Sequence, residues 1–76
     1  MLAAALEHIV TSIVDADDEV RIVETSTPRG EVLEVHVSAD DRGRVIGRGG
    51  RTAKALRTLV SALADGRRVR VDVADD

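Results

Sequence analysis

The 76-residue chain carries 11 Lys and Arg against 14 Asp and Glu, a formal net charge of −3, and has no Phe, Tyr, Trp or Cys. The lack of Cys excludes disulfides, thiolate chemistry and cysteine-based zinc sites, and no apolar run approaches the roughly 20 residues that span a bilayer. Without aromatic residues one small core must be packed from Leu, Ile, Val and Ala, so a single marginal domain covering residues 1–76 is expected, helped by self-association or a partner.

Apolar residues at Leu2, Leu6, Ile9, Val10, Ile13 and Val14 lie on one helical face and predict an α-helix from Leu2 to Val14. Its start lacks basic residues and is interrupted by Glu7-His8, so no signal peptide is expected. Asp15, Asp17 and Asp18 are expected to end the helix, because acids oppose the dipole at a helix C-terminus. Val20 to Glu24 reads as a strand and Thr27-Pro28-Arg29-Gly30 as turn chemistry. Glu31 to Val37 alternates, with Leu33, Val35 and Val37 on one face and Glu34 and His36 on the other. The two strands predict a hairpin with a loop of several residues.

Asp40-Asp41 marks the start of a short helix ending by Ile46 or Gly47. A second helix is predicted from Arg51 to about Ala64, burying Leu56, Leu59, Val60 and Leu63, with Gly66 as its stop. Val69 to Val73 alternates as the last strand. A strand–two-helix–strand crossover makes the second and third strands parallel if they share a sheet, with both helices on one face. The predicted class is α+β, a three-stranded mixed sheet with helices packed on one face.

Charge is strongly segregated along this order. Residues 1–41 carry ten acids and two bases, whereas residues 42–76 carry nine bases and four acids. Between 42 and 57 stand Arg42, Arg44, Arg48, Arg51, Lys54 and Arg57 with no acid. Gly47-Arg48-Gly49-Gly50 lies among them, a G-x-x-G step between the two predicted helices. Glycines let a backbone approach a ligand, and the following helix start offers free N–H groups and partial positive charge. A polyanion docking on this one face is the chemistry these residue types suit. Arg67, Arg68 and Arg70 read as surface charges around the last strand.

Other chemistries fail on spacing. Asp15-Ala16-Asp17-Asp18-Glu19 opens like a calcium loop, but Val20 stands where the sharp-turn glycine is needed. Gly50-Arg51-Thr52 imitates the end of a phosphate-binding P-loop, yet Val45 replaces its first glycine. The dinucleotide fingerprint breaks at Thr52. His8 and His36 lie apart, with no second ligand or nucleophile motif. No enzyme, metal or cofactor reading survives.

Helices flanking a G-x-x-G step, in the order helix–strand–strand–helix–helix–strand, resemble the type II form of the K-homology (KH) domain over the whole chain. Val45, Ile46, Gly47, Arg48, Gly50, Arg51, Thr52, Ala53, Lys54, Ala55, Leu56 and Arg57 are similar to the motif of the KhpA family of small bacterial KH proteins. The resemblance implies a clamp on the backbone of about four single-stranded RNA nucleotides. Its contacts would come from Arg44, Val45, Ile46, Gly47, Arg48, Gly49, Gly50, Arg51, Lys54 and Arg57. Val45 and Ile46, with exposed backbone of the second strand around Val35 to Val37, would form an aliphatic groove for bases. Gly49 departs from the polar or basic residue often found at its position, which implies a mobile loop with weak, poorly sequence-selective binding.

The resemblance also implies a cytoplasmic protein that forms a homodimer or pairs with a larger KH protein of the KhpB (Jag or EloR) type, linked to cell elongation, division and envelope growth. A protein-interaction module, or a ribosome-associated or assembly factor that binds RNA only within a complex, stays open as an alternative.

Overall fold

The computed structural model describes residues 2–74. In chain order they form α1 (Leu2–Thr11), a 3-10 turn (Asp17–Glu19), β1 (Arg21–Thr27), β2 (Gly30–His36), α2 (Arg42–Ile46), a second 3-10 turn (Arg48–Gly50), α3 (Arg51–Leu63) and β3 (Val69–Val73). The class and the order of the main elements are those expected.

β2 is the central strand, antiparallel to β1 and parallel to β3. Strand pairing places Ile22, Leu33, Val35, Val71 and Val73 on the face covered by helices. Arg21, Val23, Thr25, Val32, Glu34, His36, Arg70 and Asp72 share the other face, as period-two alternation requires. One core cluster joins Leu2, Leu6 and Val10 of α1, Leu33 and Val35 of β2, and Val45 of α2 to Leu56, Val60 and Ala64 along α3 and Val71 of β3. Helices α1 and α3 therefore each contribute an apolar stripe, and α2 the single residue Val45, to a core built of aliphatic side chains.

Three expectations need correction. Helix α1 stops at Thr11 rather than Val14, because the hydroxyls of Thr11 and Ser12 both donate to the His8 carbonyl at 2.9 Å. The amides of Ser12 and Ile13 then turn to the carbonyls of Ile9 and Val10 at 3.1 and 3.0 Å, tightening the last turn before the acidic run begins. The hairpin loop is only Pro28-Arg29, since β1 continues to Thr27 and pairs there with Gly30. Thr25, Ser26 and Thr27 show no apolar alternation, but an edge strand needs only ladder partners, which Val32, Glu31 and Gly30 supply. On α3 the buried stripe is Ala53, Leu56, Val60 and, just beyond the helix, Ala64, leaving Leu59 42% and Leu63 51% exposed.

Candidate nucleic-acid interface

Helix α2 is a short lever that delivers the glycine turn. Asp41 begins it, and the Asp41 carbonyl receives the amides of Arg44 and Val45 at 3.0 and 3.2 Å. The turn opens at Gly47, whose amide closes α2 on the Gly43 carbonyl at 2.8 Å while its own φ swings to +78°. Gly49 and Gly50 follow at φ +64° and +78°, with the Gly50 amide returned to the Gly47 carbonyl at 3.1 Å. Three of four successive residues thus occupy a region that side chains rarely adopt. Gly49, expected only to loosen the loop, is itself matched to its backbone conformation.

The three glycines differ in their surroundings. A Cβ on Gly47 would collide with the Thr52 hydroxyl and lie 2.7 Å from the Thr52 amide nitrogen, whereas one on Gly49 or Gly50 would meet nothing within 4 Å. Gly47 is buttressed from inside the molecule, and Gly49 and Gly50 present bare backbone to open space. Helix α3 starts directly behind them with Gly50 as its cap residue, no capping side chain and no acid in its first turn. Its leading N–H groups and the positive end of its dipole therefore meet no competing carboxylate from its own first turn.

The predicted side chains fall into distinct groups. Arg48, Arg51 and Lys54 are exposed and, among the described residues, form no side-chain hydrogen bond or ion pair. Arg44 instead lies 3.1 Å from Asp15 through Nη1, and Arg57 donates from Nε to the Val71 carbonyl of β3 at 3.0 Å. Val45 is fully buried in the core and Ile46 is 38% exposed, so only Ile46 of that pair offers apolar surface. The groove expected along β2 is not available there: β2 is paired on both sides, and Val35 is matched with Ile22 and Val73. The open sheet edge next to α2 and α3 belongs to β3.

Elsewhere two cations around the last strand are matched by acids. Arg67 meets Glu31 at 3.2 Å, and Arg70 meets Asp72 at 2.8 Å. His36 Nε2 sits 2.7 Å from Glu34 Oε1 on the uncovered sheet face. Among the described residues no group of three or more His, Cys, Asp or Glu side chains could hold a metal, and no helix is long and apolar enough to cross a membrane.

Asp41 has a long-range role that the sequence does not announce. It stands at the helix start as its position in the sequence suggests, yet its side chain makes no capping bond to α2 and is buried. Its carboxylate accepts the amides of Asp15 at 3.1 Å and Ala16 at 2.9 Å and the Ser38 hydroxyl at 3.0 Å. The Ala16 and Asp15 amides, in that order, hold its pKa below the usual carboxylate value. The Ser38-x-x-Asp41 spacing marks a local turn, but nothing local announces partners 25 and 26 residues away.

Comparison with known proteins agrees with this geometry. The family described as KhpA/KhpB, KH domain, matches residues 3–74. A Leifsonia xyli subsp. xyli protein named RNA-binding protein KhpA is 74% identical over 76 residues, covering 100% of both chains. Proteins of the same name from Streptomyces coelicolor and Halalkalibacterium halodurans are 57% and 47% identical, covering 99% and 92% of this chain and 94% and 95% of their own lengths. No solved structure gives a significant match. On sequence, element order and loop geometry together, the chain belongs to the KhpA/KhpB family of KH-domain proteins.

Proposed function

We propose that this single KH domain is a non-enzymatic RNA-binding module that grips single-stranded RNA at Gly47–Gly50. The observation that carries the reading is the pairing of bare, left-handed backbone at Gly49 and Gly50 with Arg48, Arg51 and Lys54, cations without a partner among the described residues, at the start of a 13-residue helix. Phosphates approach main-chain N–H groups where no Cβ intervenes, and cations and the helix dipole add attraction. Bases would lie against Ile46 and the open edge of β3, without aromatic stacking. The relatives' shared name supports RNA as the polyanion.

Fluorescence anisotropy with a labelled single-stranded oligoribonucleotide tests this. With these three cations contributing, log affinity should fall against log salt with a slope of about −2. Replacing Arg48 and Gly49 together by Asp should abolish binding with the fold retained, because Asp tolerates left-handed φ and a side chain at Gly49 meets open space. Unchanged binding by that variant excludes the turn as the contact.

The reading extends to a cytoplasmic protein acting on transcripts that govern cell elongation, division and envelope growth. Self-association belongs to it as well. The face of α3 that bears Ala55, Leu59 and Ala62 is apolar and uncovered, with Arg51, Lys54 and Thr58 beside it. Its exposed Leu59, together with a small core lacking any aromatic residue, favours burial against a second copy of this chain. Light scattering distinguishes that dimer from a monomer that pairs only when a KhpB-type protein is added.

A further inference from the structure

The cations between residues 42 and 57 are not treated equally by the fold. Arg48, Arg51 and Lys54 stand without partners among the described residues, whereas Arg44 Nη1 lies 3.1 Å from Asp15 Oδ2. Both members of that pair are fixed by Asp41. The Asp41 carboxylate holds the backbone of Asp15 and Ala16 at 3.1 and 2.9 Å, and its carbonyl receives the amides of Arg44 and Val45 at 3.0 and 3.2 Å. The side chain of one buried residue sets the acidic loop, while its main chain sets the turn of α2 that carries Arg44. Asp17, Asp18 and Glu19 continue the loop, all exposed.

We propose that Asp15 is a built-in competitor for phosphate at Arg44. The loop pinned by Asp41 biases this cation away from RNA, so that phosphate binding falls chiefly to Arg48, Arg51 and Lys54. The inference rests on the RNA reading above. Side chains of the pair are 55% and 76% exposed, so the attraction is weak and screened, and a phosphate can compete with it. Asp15 therefore sets how many cations grip the strand and how steeply binding responds to salt, without blocking the turn.

The test compares wild-type protein, Asp15→Asn, Arg44→Ala and the double variant by anisotropy with one single-stranded oligoribonucleotide across a salt series. Asp15→Asn spares the Asp41 anchor, which uses the Asp15 amide and not its carboxylate; circular dichroism verifies the fold. Asp15→Asn should bind about threefold tighter at low salt, with a salt slope steeper by about 0.7, one phosphate more. Arg44→Ala should lose more affinity in the Asp15→Asn background than in wild type. Equal losses in both backgrounds, or an unchanged slope in Asp15→Asn, overturn the inference and leave the turn as the binding site. Binding that survives the combined Arg48→Asp and Gly49→Asp substitutions, or no binding by wild type, instead removes the RNA reading and this inference with it.

Discussion

Gly47→Ala separates the structural work of the turn from its ligand contact. The new Cβ would strike the Thr52 hydroxyl and stand 2.7 Å from the Thr52 amide nitrogen and 2.8 Å from its Cβ. Two of those atoms belong to the main chain or its first side-chain carbon at the start of α3, so rotating a side chain cannot relieve the clash. Gly47, at φ +78° and ψ 169°, lies in a region that is essentially glycine-only and adds about 1–3 kcal/mol for another residue, and overpacking of this kind adds about 1–3 kcal/mol. Together the loss is about 2–6 kcal/mol, a large share of the stability of a small domain.

Gly49→Ala is the comparison. Gly49 lies in the left-handed α region at φ +64° and ψ 19°, and its Cβ would meet nothing within 4 Å, so only the milder left-handed penalty of about 1–2 kcal/mol applies. The difference between the two variants combines the Thr52 contact, about 1–3 kcal/mol, with the less accessible backbone region of Gly47 at ψ 169°. In a domain of this size each kcal/mol moves Tm by about 4–8 °C. Urea titration and thermal melting followed by circular dichroism read it directly. If Gly47→Ala is no less stable than Gly49→Ala, the buttress between α2 and α3 does not exist and the argument for Gly47 fails.

Asp41→Asn should lower Tm at neutral pH, because an amide nitrogen cannot accept the N–H groups of Asp15 and Ala16 as a carboxylate oxygen does. The native carboxyl has a lowered pKa, so the wild-type advantage is full above the ordinary value of 3.8 and fades as pH falls through the lower native value. Melting curves of both proteins should therefore converge in acid; a gap of equal size at pH 7 and in strong acid contradicts the anchor. Leu59→Glu, at a position 42% exposed, should change monomer stability by no more than about 0.5 kcal/mol. It should nevertheless shift light scattering from dimer to monomer, and an unchanged mass relieves α3 of any role in self-association.

Much of this protein is legible in local pattern. Alternation along Val69–Val73 identifies β3 at its observed bounds, and the cation run between residues 42 and 57 marks the loop before any coordinates. A glycine step between two helices is a short-range feature, and φ preference is a property of the residue itself. The hydrophobic face of α3 was only half legible. Leu59 and Leu63 share a helical stripe with Leu56 and Val60, but the sheet meets the arc of Ala53, Leu56, Val60 and Ala64 instead.

What only the folded chain decides is pairing across distance. Residue order made β2 and β3 parallel, yet not that β2 lies in the middle and loses its backbone edge to β1 and β3. Nothing near Arg44 in sequence foretells Asp15, nothing near Arg57 foretells the Val71 carbonyl, and nothing near Asp41 foretells the amides of Asp15 and Ala16. Periodicity and turn chemistry act over a few residues, so they can be read along the chain. Which cation is neutralised and which stays available depends on close electrostatic and hydrogen-bond partners, and these are brought together only when distant segments share one core.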